Sequence, residues 1–594
     1  DFHADLALTN DVITQRRILD TGAISITSVM TAAGLAKRIY YNKFYGKFQL
    51  FTLTKKQDRY IRDLSYFGGR VELFHLGVIN GLVYYLDFTS LYPAMGFKHE
   101  MPYGVPEWWS TFDPPSPDEV MGFGKKHANK TRAEVIETDQ NYCQWALCQR
   151  NPHVGLKVFT RLLRSSFGPE WARETNPKVL PPEFFGWVRC RVRSTAEGKK
   201  RIPLHGVKSA SGDQLPTSVN GKLLFPHLDD WRELTLFSEE VRLGEKENLY
   251  EYEPIDGISF RRGMVLRDTF NSLFAMKAQA KAEGKSAKEK AVKIIANSTY
   301  GFFGQRTEGR ESLKIYRSGD VPVYDYLSRN ALIEEADHGR YTVLRVVEDM
   351  DLKDFNVGVA AATTSYARMR LWKLMDAIVQ LGGKIYSCDT DSITTDLDIS
   401  KYPSLLNEFI PDWQTDSPGA ALGSLKCECT DEVQKVIKKT ATLCESSINL
   451  PEKVRKDVAV RIQMARERDS ITWKPMPFHH SGGSLCNGAN KLYILRTQLK
   501  TGKVIEIAKA KGMTKYDKNG HPLFAWNDYE AMHHPTDPKP LTCTQTQFKL
   551  GMSGYCRDGD GIKPITIHKI PKDAHARYDK GNLQSDGRIV PWLI

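Results

Sequence analysis

Apolar positions recur at helical spacing most plainly between residues 265 and 300, interrupted once at Gly284, so two long helices joined there and projecting as an arm are predicted. Residues 357–380 (VGVAAATTSYARMRLWKLMDAIVQ) read as a helix of small residues, and TAAGLAKRIYYNKFYGKFQLF near the start as a helix or two. Two β-rich runs, VELFHLG and LVYYLDF, flank Asn80-Gly81, which predicts a hairpin, and KIYSCDTDSITTD predicts strand, turn, strand with acids displayed at the turn. The run ELTLFSEEVRLGEKENLYEYEP is hairpin-like, 308–352 is charged and irregular, 431–468 is helical, and Asn490–Arg496 is a strand. From Met101 to Leu224 the chain turns rich in Pro, Trp and charge, with helical pieces AEVIETDQNYCQWAL and LKVFTRLLRSSF before a strand at GKLLFP, and reads as an insertion between core elements.

At 594 residues the chain is long enough for about four domain-sized units, and its 41% hydrophobic and 26% charged composition excludes wholesale disorder, collagen and coiled coil. No apolar run reaches the length that spans a bilayer and no signal-peptide pattern opens the chain, so a soluble, intracellular protein is expected, with the host compartment open. A net charge of +12 makes a polyanionic partner plausible, although a solvated basic surface would give the same sum. The ten cysteines form no paired CxxC modules; Cys143/Cys148 and Cys427/Cys429 could hold metal, but reduced, mostly buried thiols are the simpler reading.

Asp87 ends one apolar run, and Asp389 and Asp391 lie in a turn 300 residues further on. Carboxylates held at strand ends suit a pair of Mg²⁺ ions, which favour oxygen ligands and leave positions for phosphate oxygens. For a DxD alone the surface-turn reading wins; the neighbouring residues reverse that. After Asp87, the Phe88-Thr89-Ser90-Leu91-Tyr92-Pro93 turn would aim backbone N–H groups at phosphates, unless Leu91 and Tyr92 are merely core. Lys293, Asn297 and Tyr300 fall on one helix face, Gly301 would let another chain approach closely, and Lys277 and Lys281 extend a basic stripe on the preceding helix. A lysine stripe is usually a solvated face, but one carrying Asn, Tyr and Gly suits a triphosphate and a base.

DFTSLYP (87–93), KIIANSTYG (293–301) and YSCDTDS (386–392), in that order, resemble motifs A, B and C of the family B DNA polymerases. Further likenesses are Tyr66-Phe67-Gly68-Gly69, TTSYAR (363–368), LGSLKCE (422–428) and Lys491-Leu492-Tyr493, so the resemblance covers about residues 60–515. It implies an α+β fold: a right-hand polymerase with an antiparallel-sheet palm, two-helix fingers and a small thumb, plus insertions. Along the chain that would be an N-terminal remnant packing on the palm (1–64), palm with motif A (65–100), a first insertion resembling a terminal-protein region (101–224), palm (225–262) and fingers with motif B (263–305). A second such insertion (306–355) would follow, then palm with motif C and the Lys-x-Tyr element (356–496) carrying a helical insert (431–480), and thumb with the C-terminal region (497–594).

Carried over residue by residue, the resemblance gives Asp87 and Asp391 to both metals, with the Phe88 carbonyl assisting and Asp389 as the supporting acid. Ser90, Leu91 and Tyr92 would contact triphosphate and sugar, Tyr92 also excluding a ribose 2′-OH. Lys293, with Lys277 or Lys281, would neutralise the triphosphate; Asn297 and Tyr300 would line the nascent base pair; Lys491 and Tyr493 would hold the primer end. Tyr66, Gly68, Gly69, Gly301, Lys509 and Lys511 complete the expected DNA-binding set. The implied activity is DNA-directed DNA synthesis with two Mg²⁺, for which Mn²⁺ can substitute. The implied partners are primer–template DNA and dNTPs, the chain acting as a monomer off the membrane.

The wide spacing between motifs A and B and the extra stretch between B and C are similar to the protein-primed branch, implying a terminal protein as primer, strand displacement, and replication of a virus, phage, linear plasmid or related element. Nucleic-acid priming remains the alternative, as do a silent polymerase-like DNA clamp and a two-metal nuclease, which would not need the Lys-Asn-Tyr-Gly helix. No glutamate precedes Glu72, so the DxE pair of the family's exonuclease cannot be written there; the opening DFHADLALTND reads as a cut or an original lack, and extension of mismatched primers without trimming is expected.

Overall fold

The computed structural model describes residues 32–594 apart from 82, 111–115, 150–151, 165–179, 210–214, 216–220, 307–309, 318, 329–330, 338, 349–355, 412–420, 428–482, 490, 499–503, 511, 515, 518–520, 549–554, 559–560, 565–566 and 577–579. The helix expected over 431–468, the insert over 431–480, and Asn490 and Lys511 therefore lie outside the described residues.

Five short antiparallel strands form the sheet that carries the acids, in the order β1 (Val71–Leu73), β13 (Ile385–Asp389), β14 (Ser392–Thr395), β3 (Tyr84–Phe88), β15 (Leu425–Cys427). β3 does not alternate: Tyr84, Tyr85, Leu86 and Phe88 are all buried, as in a sheet covered on both faces. One cover is the long helix predicted from the small-residue run, here Val357–Gln380. Its Ala360, Leu371, Leu374 and Met375 share one core with Leu86 and Phe88. Asn356 starts that helix, its side chain accepting from the Gly358 N–H at 2.9 Å.

Asn80-Gly81 does not make a hairpin. Gly81 turns the chain (φ +127°), but β2 (Gly77–Ile79) pairs with β16 (Gly483–Ala489) while β3 pairs with β14 and β15. Burial of Ile79 and Leu86 against partners distant in sequence outweighs the local turn preference. β16, β17 (Leu492–Gln498) and β18 (Val504–Ala510) complete a four-stranded sheet with β2 at its edge.

A third sheet has the order β4 (Met101–Ser110), β9 (Tyr250–Gly263), β5 (Gly186–Ser194), β8 (Arg232–Phe237). The hairpin-like run is corrected here: β8 and β9 are joined by the helix Ser238–Lys246 and separated in the sheet by β5. SEEVRLGEK takes the helical period because that places Glu240, Val241, Leu243 and Gly244 on the buried side. Strands from both sides of residue 224 share this sheet. A short pair, β6 (Val207–Lys208) with β7 (Leu223–Leu224), lies in the connection between β5 and β8.

The stretch 308–352 is regular rather than irregular: β10 (Arg310–Arg317), β11 (Leu332–Asp337) and β12 (Tyr341–Glu348) form an antiparallel sheet in the order β10-β12-β11. Its high charge hides the apolar stretch of β12, in which Val343, Leu344 and Val346 are buried.

Helices named from here on are α1 (Lys55–Leu64), α2 (Leu91–Lys98), α3 (Val154–Arg164), α4 (Arg267–Ala282), α5 (Ser286–Gly301) and α6 (Val357–Gln380). α4 and α5 are the two long helices of the predicted arm, and Gly284 between them has φ +69°, a conformation that favours glycine. Among the described residues no helix is long and apolar enough to cross a membrane.

Candidate active site

Register brings the three acids to one edge. Asp87 is the penultimate residue of β3, Asp389 the last of β13, and Asp391 lies in the two-residue turn to β14, whose Ser392 pairs with both Asp87 and Asp389. The Phe88 N–H donates to the Asp391 carbonyl at 2.8 Å, tying the end of β3 to the turn. On the other side the Thr390 N–H donates to the Arg70 carbonyl at 2.8 Å, and the Thr390 hydroxyl to Asp389 at 3.0 Å.

Backbone strain gathers at this edge. Among the described residues four that are not glycine have positive φ, and three of them are Ser90 (52°), Thr390 (66°) and Lys491 (62°). Each such conformation costs on the order of 1–3 kcal/mol and persists where surrounding structure over-determines it, commonly at functional sites. Ser90 precedes α2 in the left-handed region, so that helix's first turn begins at Leu91, three residues after Phe88.

Two lysines attend the acids. Lys491 Nζ lies 2.5 Å from Asp389 Oδ1, and Lys426, paired in register with Asp87, places Nζ 3.9 Å from Asp87 Oδ2. Asp87 and Asp391 supply hard oxygen donors of the kind Mg²⁺ prefers, and the Lys491 pairing fits Asp389 to a supporting place. Among the described residues no group of three or more His, Cys, Asp or Glu side chains gathers as a metal centre. Two carboxylates and a carbonyl are hard oxygen donors, so in donor chemistry the residues fit the ions implied by the sequence.

A basic wall faces the edge from the helical arm. Lys277 on α4 has its ammonium pKa lowered by burial first, then by Lys293, with Lys281 and Lys426 adding to the repulsion and Glu289 opposing it. Lys293 and Asn297 are exposed on α5 and Tyr300 is half-buried. Four mutually repelling ammonium groups gain when a polyanion lies among them.

Tyr92 stacks on Tyr300 with centroids 4.9 Å apart and planes inclined by 15°. Burial, then Tyr300, raises the Tyr92 hydroxyl well above its ordinary range; burial, Tyr66 and Asp391 push Tyr300 to about 12. Both phenols therefore stay neutral beside the acid edge. Gly69 sits under this pair: a Cβ there would come 2.6 Å from the Tyr92 hydroxyl and 2.8 Å from Thr390 Cγ2.

Other expected residues are placed differently. Leu91 is wholly buried, so only its backbone can meet a ligand. Among the described residues nothing lies within 4 Å of where a Cβ would point at Gly301 or at Gly68, so no described segment makes the close approach expected at Gly301. Tyr493 is 4% exposed, its ring 6.0 Å from that of Tyr85, while Lys509 Nζ lies 6.0 Å from the Tyr85 ring. Lys511 is outside the described residues.

Two residues were not singled out from the sequence as part of the site. Lys426 lies in the LGSLKCE run, but a three-residue strand gives no periodic signal of its pairing with Asp87. Arg368, 3% exposed on α6, donates to the Phe67 and Gly68 carbonyls at 2.8 and 3.2 Å, to Ser365 at 2.8 Å and to Glu240 at 2.9 Å. It thereby fixes the loop that presents Gly69.

A family model described as DNA polymerase type B, organellar and viral, matches residues 3–114 and 165–355, just over half of the chain. The chain belongs to that family. Among curated relatives of this type B polymerase, a "Probable DNA polymerase" of Neurospora intermedia is 24% identical over 392 residues, covering 65% of this chain and 32% of that protein. A "Probable DNA polymerase" of Podospora anserina is 25% identical over 399 residues, covering 60% and 30%. The chain thus spans about a third of the length of the curated relatives it matches. Phi29 DNA polymerase complexed with primer-template DNA and incoming nucleotide substrates aligns with a TM-score of 0.50 at 15% identity, over 92% of this chain and 68% of that one, a likeness of fold. The α+β right-hand polymerase fold expected from the sequence is the fold found.

Proposed function

We propose that this type B polymerase carries out template-directed DNA synthesis, transferring nucleotides from dNTPs to a primer 3′-OH at the edge formed by Asp87, Asp389 and Asp391. The observation that carries the reading is the Phe88 N–H bond to the Asp391 carbonyl, which joins motif A to motif C in a chain of the organellar and viral family. Asp87 and Asp391, with the Phe88 carbonyl, would hold two Mg²⁺ ions. When bound, these would supply positive charge to the attacking and leaving oxygens.

The chain's own residues do the rest of the work in this reading. Lys277, Lys281 and Lys293 draw in the triphosphate, helped by the N–H groups that open α2 at Ser90 and Leu91. Lys426 lies between that wall and Asp87, which suits a phosphate passing from one to the other. Tyr92, held by Tyr300 and Gly69, presents a fixed surface to the sugar, and a 2′-OH would meet it. Asn297 and Tyr300 would line the base pair; Lys491, paired with Asp389, would hold the primer end.

Priming by a terminal protein is part of the proposal, supported by the organellar and viral family and by the wide spacing of the three motifs along the chain. Strand displacement and replication of a viral, plasmid-like or related element follow from the same reading. A primed template incubated with dNTPs and Mg²⁺ tests it: stepwise extension is expected, and degradation or binding without extension would overturn it. Incubation with candidate priming proteins and labelled dNTP is expected to yield a protein–nucleotide adduct; its absence with every candidate would return priming to nucleic acid.

A further inference from the structure

Away from the acids, two adjoining cavities lie along edge strand β4 where it passes α1 and α3. One, of about 330 Å³, is lined by Trp108, Trp109, Lys157, Arg161 and Phe184 among others; the second, of about 590 Å³, shares Trp108, Trp109 and Arg161 and adds Tyr60. Both fall within the roughly 300–1,000 Å³ of small-ligand sites.

The decisive residue is Lys157. It is 8% exposed, it lines the smaller cavity, and its ammonium has no hydrogen-bond partner among the described residues. A buried ammonium without a hydrogen bond costs folding free energy, and an anionic ligand reaching the cavity would supply the missing bond. Two carboxylates line the same cavity and offset part of its charge: Glu183 is engaged by Arg164 and accepts from the Thr160 hydroxyl at 3.3 Å, and Glu107 has a buried oxygen without a hydrogen bond among the described residues. Burial lowers the Lys157 pKa, Glu107 and Glu183 oppose that, and Arg261 and Arg262 add to it.

Around this cation the walls are aromatic. Trp108 is 43% exposed, and its ring is met edge-on by Tyr60 at 5.2 Å; Trp109 packs edge-on against Phe184 at 5.4 Å. A large exposed indole beside a buried ammonium suits a ligand that is anionic at one end and flat at the other.

We propose that these cavities bind an unpaired nucleotide of single-stranded DNA, its phosphate on Lys157 and Arg161 and its base against Trp108 and Trp109. Stacking on aromatic rings beside cations is how single strands are held without regard to sequence. The two cavities share walls along one strand edge, so a strand can run across them. The choice of DNA over another phosphate-bearing aromatic ligand rests on the proposed polymerase function.

The test measures anisotropy of a labelled oligothymidylate on the full chain and on Lys157→Met and Trp108→Ala, alongside single-nucleotide addition at saturating primer–template. Each variant is expected to weaken oligothymidylate binding by about tenfold or more, with the rate of nucleotide addition unchanged. Melting of both variants is measured beside the parent, so that a loss of affinity is read only from folded protein. Unchanged oligothymidylate affinity in both variants would overturn the proposal; so would dTMP competing as well as the strand, or an equal loss for duplex DNA. If the parent adds no nucleotide at all yet binding responds as expected, the polymerase reading fails while this site stands.

Discussion

Gly68 and Gly69 are neighbours with opposite surroundings, and the difference is testable. A methyl at Gly69 would strike the Tyr92 hydroxyl and Thr390, displacing the turn that carries Asp389 and Asp391. Gly69→Ala is expected to lower kcat about 100-fold, as misplacements near 1 Å do. Gly68→Ala meets nothing within 4 Å, so it should fold normally and leave kcat intact, any loss being confined to the Kd for primer–template. Tyr92→Val is expected to raise ribonucleotide incorporation relative to dNTP about tenfold or more, read by competition between the two; unchanged selectivity would make Tyr92 a core residue. Lys277 predicts a pH effect. Its folded pKa lies below the ordinary value, so its charge is lost as pH rises through that lowered pKa, and the charged form costs stability at pH below it. The apparent KM for dNTP should therefore climb on the alkaline side, and Lys277→Arg, which keeps its charge, should flatten the climb.

At the scale of elements, α6 holds the site from behind through one arginine. Arg368 satisfies the Phe67 and Gly68 carbonyls and pairs with buried Glu240. Arg368→Met leaves those groups unpaired and is expected to cost about 3–5 kcal/mol in urea unfolding, and Arg368→Lys, lacking the planar fork, should rescue little of it. Nothing in TTSYAR announces this clamp, because its partners are about 130 and 300 residues away in sequence. The same limit explains the Asn80-Gly81 turn: the local signal for reversal is real, yet β2 and β3 join different sheets because each buries its apolar face against a remote strand. Elements whose signal is local were legible, namely α6, the helical arm broken at Gly284, and the turn carrying Asp389 and Asp391. Lys426 was not, since its place beside Asp87 is set by a three-residue pairing at the sheet edge.

Over the whole molecule, a five-stranded sheet closes a gap of some 300 residues between Asp87 and Asp391, and a two-helix arm brings lysines over it. The chain's +12 charge predicts primer–template binding that weakens steeply with salt, whereas the chemical step at saturating DNA should change little. That separation of binding from chemistry gives the most direct test of the account. Single-turnover nucleotide addition in Mg²⁺ is measured for the parent and for Asp391→Asn, with the Kd for primer–template determined on the same preparations. The rate should fall about 100-fold or more, as loss of charge stabilisation at a reacting centre does, while the Kd stays close to the parent's. Near-normal addition by Asp391→Asn would contradict the account.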